Sequence, residues 1–435
     1  MQPINRRDFV AGVAGGLFAG LSAREYACAA KRPNNRINLA VMGLRGRGQL
    51  LATLFAEYPD ARVATICDID ERLWPDAVKQ VEAKQGVAPQ TTTDIRRALD
   101  DKSIDAVVVA APNHWHALAT VWACQAGKDV LVEKPVAHNI VEGRRMIEAA
   151  RKYDRVVQVG TQRRSSAHWK KATDLARGGK VGHIGLARAW VIRKRKPIGR
   201  AVDGPVPAGV DYDRWLGPAP QRAFNLNHFH YNWNWLWDYG GGELANNGVH
   251  MLDMARLGMG VTSPRTVNST GGSFAFDDDQ QTPDTQIVTF EFEKSMLVWE
   301  HRQWSGYGLL NEEGNVRIGG GVIFYGTEGT LFVNDQGWQV VVAGEVVERG
   351  PGVDESKSLL RNFLDCIQTR ARPEADIEAG HLSTVLCHVG NISHRVGRKL
   401  NWDGTSEQFT GEGNADARKL LSREYRPPYV LPERV

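Results

Sequence analysis

Short apolar runs alternate with longer stretches of mixed polarity over the first third of the chain. The apolar runs lie at residues 37–42, 62–67, 106–110, 129–132 and 155–159. Runs of this kind are typical of parallel strands that are covered on both faces. The stretches between them predict helices at 49–56, 71–84, 95–99, 116–126 and 141–153. This alternation predicts an α/β domain over residues 36–160, a doubly wound parallel sheet whose ligand crevice lies at the carboxyl ends of the strands.

The pattern changes after residue 160, where the apolar runs become longer and the loops become rich in tryptophan. Strands are predicted at 185–191, 285–292, 296–300, 322–326, 330–334 and 338–342, and a closing helix is predicted at 381–402. Residues 161–435 are therefore expected to form a second domain.

The composition is that of an ordinary soluble globular protein. The chain has 435 residues, of which 42% are hydrophobic and 24% charged, and its formal net charge is +4. These values exclude a disordered or collagen-like chain. Because the charge is small and the basic residues are dispersed, a small-molecule partner is favoured over nucleic acid. The five cysteines form no CxxC pair and have no histidine at ligand spacing, so neither a metal site nor a disulfide framework is predicted.

Residues 1–30 resemble a twin-arginine export signal. The pair Arg6-Arg7 precedes an uncharged run from Phe9 to Ala23, and small residues follow around Ala27. The uncharged run is shorter than the roughly 20 residues that span a bilayer, so we expect no stable membrane insertion after removal of the signal. This predicts a periplasmic protein that is exported already folded around its cofactor. A hydrophobic amino terminus of a cytoplasmic protein is the alternative.

A glycine-rich turn separates the first predicted strand from the first predicted helix. Such a turn lets the backbone approach a pyrophosphate and directs the amino terminus of the helix at it. The spacing departs from the usual GxGxxG, because an arginine occupies the second glycine position. The nucleotide-binding residues predicted in this turn are Gly43, Arg45, Gly46, Arg47 and Gly48.

Asp68 follows directly after the second predicted strand. A carboxylate at this position can accept both ribose hydroxyls of NAD, and it repels the 2′-phosphate of NADP. This favours NAD as the cofactor. NADP remains the alternative, because the guanidinium of Arg45, Arg47 or Arg72 could meet the extra phosphate.

Two further strand ends carry unusual polar residues. They are Pro112, Asn113 and His116 after the strand at 106–110, and Glu133-Lys134-Pro135 after the strand at 129–132. A lysine at the end of a buried strand lies where desolvation can lower its pKa. A solvated loop charge is the alternative for this lysine.

The Glu133-Lys134-Pro135 motif resembles the nucleotide-domain signature of the Gfo/Idh/MocA family, which is named for glucose-fructose oxidoreductase, inositol dehydrogenase and rhizopine catabolism. A second motif lies at 240–253, where three glycines precede a segment of the family form Asp-x-Gly-x-His-x-x-Asp. His250 and Asp253 match its histidine and trailing aspartate, whereas Asn246 stands where the aspartate usually stands. The resemblance covers the chain after residue 36.

The resemblance implies a Rossmann domain followed by an α+β carboxyl-terminal domain with a large, mostly antiparallel sheet. One face of that sheet would carry substrate specificity and the other an oligomer contact. A homo-oligomer, either a dimer or a tetramer, is therefore expected.

The resemblance also implies roles for the matched residues. Lys134 or His250 would take the hydroxyl proton as hydride leaves the carbinol carbon for the nicotinamide. Lys134 would also steady the developing alkoxide. Asn246 cannot accept a proton, but it can hold a hydroxyl by hydrogen bonds. The further cofactor contacts that it implies are Pro112, Asn113 and His116 on the nicotinamide side, and Glu133, which orients Lys134.

Residues 225–239 hold three Trp, two Tyr, one Phe and two His just ahead of the three glycines. Aromatic faces with interleaved polar side chains suit a sugar, because its C–H faces stack on rings while its hydroxyls take polar partners. A packed loop core is the alternative, and a metal site at His228 and His230 is disfavoured by the lack of nearby carboxylates or cysteines. The predicted substrate contacts are Arg163, Trp233, Trp235, Tyr239, Asn246 and Asp253.

Export would constrain the mechanism, because an exported enzyme cannot draw on the cellular NAD pool. We therefore predict an NAD(P)-dependent oxidoreductase that transfers hydride on a sugar, polyol or glycoside with a tightly bound, internally recycled cofactor. A redox-neutral enzyme that cleaves or epimerises glycosides is one alternative, and simple reversible dehydrogenation is another. A non-catalytic module that binds nucleotide or sugar is an alternative of a different class, suggested by Asn246.

Overall fold

The computed structural model describes residues 36–306, 309–310, 316–317, 319–353 and 356–435. The predicted twin-arginine signal at residues 1–30 lies outside the described residues. In the described part of the chain, no helix combines the length and the apolar character needed to cross a membrane.

A six-stranded parallel sheet forms the first domain, as the alternating pattern predicted. Its strands are β1 Ile37–Met42, β2 Ala61–Cys67, β3 Gln90–Thr92, β4 Ala106–Val109, β5 Asp129–Val132 and β6 Val157–Val159. The strand order is β3-β2-β1-β4-β5-β6, so the direction of winding reverses between β1 and β4 and opens a crevice at their carboxyl ends. Strand β3 was not predicted from the sequence, because it is short, polar and at the edge of the sheet.

The helices of the first domain lie near their predicted positions. They are α1 Arg47–Phe55, α2 Trp74–Gln85, α3 Ile95–Asp100, α4 Asn113–Gln125 and α5 Ile140–Lys152. Helix α4 begins at Asn113 rather than at residue 116. The polar residues that follow β4 therefore belong to the first turn of a helix and not to a loop.

A ten-stranded, mostly antiparallel sheet forms the second domain, which confirms the expected fold class. Its strands are β7 Ile184–Ile192, β8 Thr266–Gly272, β9 Thr285–Glu291, β10 Met296–Arg302, β13 Gly319–Gly326, β14 Thr330–Asn334, β15 Gly337–Val342, β16 Glu345–Pro351, β17 Leu400–Asp403 and β18 Gln408–Thr410; a separate pair is β11 Leu309–Leu310 and β12 Val316–Arg317. Strands β7 and β10 pair in parallel, and the other neighbours in this sheet pair antiparallel.

The helices after residue 160 cover one face of this sheet and part of the first domain. They are α6 Ala167–Arg177, α7 Tyr212–Leu216, α8 Val249–Met259, α9 Ser356–Thr369, α10 Ile377–Val396 and α11 Ala415–Lys419. Residues of α6, α8 and α10 form one hydrophobic core with the sheet. The helix predicted at 381–402 ends at Val396, because Gly397 takes a left-handed conformation with φ of 68° and ends it.

Two late segments of the chain pack on the first domain. Leu359 and Phe363 of α9 join the core beneath β1. Near the carboxyl terminus, the ring of Tyr429 packs on that of Trp115 in α4, with centroids 5.4 Å apart. A parallel sheet needs apolar cover on both faces, and these segments supply part of it. The boundary predicted at residue 160 therefore lies between the two sheets, but segments from after this boundary pack on the first sheet as well.

Residues 209–239, here called the closing segment, dock against the end of β2. Backbone hydrogen bonds of 2.9 and 2.8 Å join this segment to the residues after β2, from Glu71 to Gly209 and from Asp211 to Ile69. The segment contains α7 and two 3-10 turns, Leu226–His228 and His230–Trp235. It covers the crevice at the carboxyl ends of the parallel strands from one side.

Candidate active site

The glycine turn between β1 and α1 has no room for a side chain at two of its positions. A Cβ on Gly43 would lie 2.7 Å from the carbonyl oxygen of Ala110, and one on Gly48 would lie 1.7 Å from the carbonyl oxygen of Gly43. Gly43 and Gly46 also have φ angles of 87° and 57°, which L side chains rarely adopt. The turn therefore brings bare backbone and the start of α1 to the crevice, an arrangement that suits a pyrophosphate.

A cavity of about 370 Å³ lies at the carboxyl ends of the parallel strands and is bordered by the closing segment. Most of the residues predicted for cofactor binding, catalysis or substrate contact line it. They are Gly43, Arg45, Gly46, Arg47, Asp68, Pro112, Asn113, His116, Glu133, Lys134, Trp233 and Asn246. Gly48 lies behind the turn, against Gly43. The cavity therefore extends from the glycine turn and the end of β2 to the end of β5.

Asp68 faces this cavity from the end of β2. Its carboxylate accepts hydrogen bonds from the backbone N–H groups of Leu44, at 2.5 Å, and Asp70, at 2.9 Å. Burial raises the pKa of Asp68 to about 6, because the charged form loses water. Arg72, a candidate for the 2′-phosphate of NADP, is instead held by the carboxylate of Asp70 at 2.7 and 2.8 Å. These residues therefore fit NAD.

Glu133 is buried at the end of β5, where its Oε1 accepts a hydrogen bond from Nε of Arg47 at 2.6 Å. Burial acts to raise its pKa, but the charges of Arg47 and Lys134 hold the pKa of Glu133 below its ordinary value. Gly160 leaves room for the carboxylate, since a Cβ there would lie 2.6 Å from Oε2. Oε2 of Glu133 accepts a hydrogen bond from the backbone N–H of Lys134 at 3.2 Å, so the orientation of the amine comes from another residue.

Asn246 holds the amine of Lys134. Nζ donates hydrogen bonds to the backbone carbonyl of Asn246, at 2.7 Å, and to its side-chain Oδ1, at 2.9 Å. Burial lowers the pKa of Lys134 to about 8, against the opposing charges of Glu133 and Glu243. The sequence predicted that Asn246 binds a substrate hydroxyl, whereas its two oxygens here serve the lysine. Because an amide takes no proton, Lys134 remains the group of this pair that can exchange one.

Asn246 belongs to a π-helical turn, Leu244–Gly248, that leads into α8. Such turns occur mostly as single insertions in helices and often at functional sites. His250 follows in the first turn of α8, is 6% exposed and lies behind the cavity lining. Its Nδ1 has no hydrogen-bond partner. Burial, together with the positive charges of Arg163 and Lys134, places the pKa of His250 well below its ordinary value, so the imidazole is neutral at neutral pH.

His116 braces the Glu133-Lys134-Pro135 turn from within. Its ring nitrogens lie 2.8 Å from the carbonyl oxygen of Pro135 and 2.9 Å from that of Ala111. Burial lowers the pKa of His116. A neutral ring has one N–H, so it donates to one of these two carbonyl oxygens and contacts the backbone at the ends of β4 and β5.

Asp253 does not reach the cavity, contrary to the prediction that it contacts substrate. It is fully buried, and its carboxylate accepts hydrogen bonds from Arg164 at 2.7 and 2.8 Å and from the hydroxyl of Ser383 at 2.5 Å. Asp253 lies on the side of α8 that faces α10. A buried carboxylate needs a charged partner, and Arg164 supplies it, so the residue ties helices together.

Two of the three aromatic residues predicted to bind substrate also lie in the interior. Trp235 is 1% exposed and lies under the guanidinium of Arg195, 4.2 Å from its ring centroid. Tyr239 is 1% exposed and packs against Trp215 at 4.8 Å. Trp233 lines the cavity. Trp235 and Tyr239 therefore fit the packed loop core, whereas Trp233 remains a predicted substrate contact.

Arg163 lies outside the cavity lining as well. Its guanidinium forms hydrogen bonds of 2.8 Å with both carboxylate oxygens of Asp335 and lies over the ring of Trp169, 5.4 Å from its centroid. It acts on the site at a distance, since its charge contributes to the low pKa of His250.

The structure adds residues that sequence reasoning did not assign to the cofactor crevice. His230 lines the cavity, and its Nε2 lies 3.0 Å from the carboxylate of Asp70. Its φ of 50° is unusual for a residue other than glycine. Tyr429, from the carboxyl-terminal tail, lines the same cavity. No local pattern marks either residue, because both come from irregular segments that reach the crevice only through folding.

Among the described residues, no group of three or more His, Cys, Asp or Glu side chains is arranged to hold a metal ion. Four cysteines are free and buried, namely Cys67, Cys124, Cys366 and Cys387. Cys28 lies outside the described residues.

Comparison with known protein families matches two parts of the chain. Residues 37–161 match the model described as an oxidoreductase family with an NAD-binding Rossmann fold. Residues 190–431 match the model described as the C-terminal alpha/beta domain of the same Gfo/Idh/MocA oxidoreductase family. The first match covers the glycine turn and Lys134, and the second covers Asn246 and His250.

Several relatives match most of the chain. Myo-inositol 2-dehydrogenase of Thermotoga maritima is 23% identical over 371 residues, which cover 82% of this chain and 96% of that protein. The solved structure of levoglucosan dehydrogenase with NADH has a TM-score of 0.64 at 18% identity and covers 84% of this chain and 99% of its own. That of aldose-aldose oxidoreductase from Caulobacter crescentus, complexed with glycerol, has a TM-score of 0.64 at 20% identity, with the same two coverages. At such identities the two solved structures show a common fold.

Proposed function

This chain belongs to the Gfo/Idh/MocA oxidoreductase family, with an NAD-binding Rossmann domain, and we propose that it transfers hydride between a sugar, polyol or glycoside and an NAD that stays bound and is recycled within each cycle. One observation carries the chemical part of the proposal. The amine of Lys134, with its pKa lowered by burial, projects from the end of β5 into the cofactor cavity and is held there by Asn246 from the second domain.

The bound cofactor supplies the acceptor for hydride from a carbinol carbon. Lys134 in its neutral form takes the proton of the same hydroxyl on Nζ. With a pKa of about 8, roughly a tenth of the amine is neutral one pH unit below that value, which suits a general base at neutral pH. In the reverse direction the ammonium returns the proton to the carbonyl oxygen.

Asn246 and His250 prepare the amine of Lys134 for this exchange. The two oxygens of Asn246 fix the amine by direct hydrogen bonds. The imidazole of His250 lies behind the cavity lining and is neutral, because burial and nearby positive charges lower its pKa. A neutral ring next to Lys134 adds no second cation, so it favours the productive protonation state of the amine.

The substrate class is proposed from the relatives and from the cavity. The names of the three relatives contain inositol, levoglucosan and aldose. In this chain, Trp233 brings an indole ring to the cavity, and an aromatic face is a common partner for the C–H face of a sugar ring. A polyhydroxylated substrate therefore fits both observations.

Retention of the cofactor is supported by the closing segment. It borders the cavity next to Asp68, and it is fixed to the residues after β2 by backbone hydrogen bonds and by the contact of His230 with Asp70. Release of a bound nucleotide would require several of these contacts to open. Export through the twin-arginine pathway is part of the same proposal, because Arg6-Arg7 and the uncharged run after it favour transport of a folded, cofactor-loaded protein to the periplasm.

The purified mature protein tests the enzymatic part. On denaturation it should release about one NAD or NADH per chain, as one Rossmann site predicts. Inositols, aldoses and glycosides are then added singly under single-turnover conditions while nicotinamide absorbance is followed. A change with one substrate, reversed by a second carbonyl compound, supports recycled hydride transfer, and product analysis separates it from redox-neutral chemistry. A protein without nucleotide that produces no absorbance change contradicts the proposal.

Export is tested separately with the full-length chain. Replacing Arg6 and Arg7 together by lysine should keep the protein in the cytoplasm, as measured by cell fractionation. Equal periplasmic amounts of both proteins would reject the twin-arginine route without affecting the enzymatic proposal.

A further inference from the structure

Glu243 is a buried carboxylate immediately before the π-helical turn. Few contacts among the described residues balance its negative charge. It is 1% exposed, and its Oε1 accepts a hydrogen bond from Nδ2 of Asn247 at 2.7 Å. The nearest cation is Arg193, whose Nε lies 3.6 Å away and whose side chain is 41% exposed. Oε2 has no hydrogen-bond partner among the described residues. A carboxylate buried in this way loses more hydration than these contacts return.

The position of Glu243 connects it to the reacting end of the cavity. Asn247, which it binds, is the neighbour of Asn246 within the turn Leu244–Gly248, and Asn246 holds the amine of Lys134. The start of this segment is also constrained, because Gly242 has a φ of 65° and a Cβ there would lie 2.7 Å from the side chain of Thr282. The side chain of Glu243 therefore joins the entrance of the turn to its far end.

We infer that Glu243 is a positioning residue for Lys134: through Asn247 it holds the π-helical turn so that Asn246 presents both oxygens to the amine, and its charge acts on that amine. This deepens the proposed function, on which it rests for the role of Lys134 as proton acceptor. The charged and titratable groups that act on the amine are Glu133, Glu243, Arg47 and Arg163, with the neutral ring of His250 beside them.

A positioning role and a merely structural role predict opposite results for a neutral replacement. The negative charge of Glu243 raises the pKa of Lys134, against burial, Arg47 and Arg163. Removing that charge should lower the pKa of the amine further. A glutamine of the same shape also removes a poorly compensated buried charge, so the thermal unfolding temperature should stay equal or rise. A structural role alone predicts a lower unfolding temperature and an unchanged amine.

The test is E243Q in the full mature protein, with the acidity of Lys134 measured by competitive acetylation. The pH dependence of acetic anhydride labelling is followed by mass spectrometry of the peptide that contains Lys134, which requires no substrate. We expect the labelling midpoint to fall by about half a pH unit to one unit, so that labelling below the midpoint becomes about three- to ten-fold faster. With an oxidised sugar, the limb of the pH–rate profile that follows Lys134 should move in the same direction.

Glu142 provides a matched control. It is also 1% exposed, and burial raises its pKa to about 7, but it binds the backbone N–H of His138 and the hydroxyl of Tyr425 instead. E142Q should leave the Lys134 midpoint unchanged. N247A keeps the charge of Glu243 but removes its link to the turn, so it should slow hydride transfer with a smaller shift of the midpoint.

Two results would overturn the inference: a midpoint in E243Q equal to that of the parent protein, or equal shifts in E243Q and E142Q. If E243Q fails to fold, an unchanged hydride-transfer rate in N247A rejects the positioning role. A shifted midpoint in a protein that oxidises none of the sugars tested would support Glu243 as a positioning residue and would instead reject the proposed substrate class.

Discussion

The two ends of the cofactor cavity are built in different ways. At the reacting end, buried charged and polar groups from both domains meet directly, and the central contact is between Lys134 and Asn246. At the ribose end, Asp68 is held by backbone N–H groups, and the closing segment covers it by backbone pairing and by the contact of His230 with Asp70.

On the proposed function, this difference assigns hydride transfer to one end of the cavity and retention of the cofactor to the other. Changes at the reacting end should alter the rate of hydride transfer and leave nucleotide binding intact, because Lys134 is fixed by Asn246. Changes at the ribose end should alter affinity and release, and leave the chemical step of the loaded protein intact. A variant that affected both properties equally would break this division.

The largest effect is expected for Lys134→Ala. Loss of the proton acceptor and of the charge that steadies the alkoxide should slow hydride transfer at least about a thousand-fold, while nucleotide content stays the same. Single-turnover absorbance and nucleotide release on denaturation measure the two quantities. The control is Lys128→Ala, which removes another buried lysine, one that donates to the carbonyl oxygens of Asp101 and Ile104. It should lower stability only; a Lys134→Ala protein with normal turnover would refute the assignment.

Asp68→Ala should have the next largest effect, on affinity. Removing a charged hydrogen-bond acceptor for the ribose should weaken NAD binding about ten- to one hundred-fold, with little change for NADP, which gains from the loss of repulsion. Fluorescence titration of the cofactor-free protein gives both constants. Equal losses for the two nucleotides would mean that Asp68 does not discriminate at the ribose.

His230→Gly should accelerate release of the nucleotide. Glycine accepts the positive φ at this position, so the substitution removes the contact with Asp70 without new backbone strain. Release should become about three- to ten-fold faster, as measured by displacement of bound NADH in a stopped-flow instrument. His228→Ala, in the same segment but outside the cavity lining, should release NADH at the parent rate. No change in His230→Gly would show that the contact does not hold the cofactor.

The smallest effects concern pH, and they should differ between the two ends. Asp68 has a pKa raised to about 6 by burial, so it loses its charge as the pH falls through that value. NAD affinity should then drop by up to about ten-fold one pH unit below it, and Asp68→Asn should remove this dependence. Lys134 has a pKa lowered to about 8, so the oxidation rate should rise with pH up to about that value. If NAD affinity and oxidation rate changed with the same pH midpoint, the two ends of the cavity would not act independently.

The parts of the site that follow short-range rules were predictable from the sequence. Apolar runs indicated the parallel strands. Ligands bind at the carboxyl ends of such strands, and this rule drew attention to the glycine turn, Asp68 and Lys134, which follow three of them. The resemblance then added Asn246 and His250, although the sequence did not show that Asn246 would bind the lysine.

The substrate contacts that the sequence predicted wrongly depend on which side of a helix or loop faces the protein interior. Asp253 and Trp235 have residue types that suit a substrate site, but Arg164 and Arg195 take them as partners inside the protein. The sequence did not predict a role for Glu243, because this residue becomes buried only when the π-helical turn packs. Such contacts join distant parts of the chain, so local pattern and composition do not reveal them.

The link between Lys134 and Asn246 spans 112 positions of sequence, and this has a consequence for assembly. The glycine turn, Asp68 and Lys134 belong to the first domain, whereas Asn246 and Glu243, which act on the amine, belong to the second. On the proposed function, we expect the lowered pKa of the amine to require both domains, because Asn246 of the second domain binds the amine. A truncated chain that keeps only the first domain should then fail to transfer hydride even if it binds nucleotide.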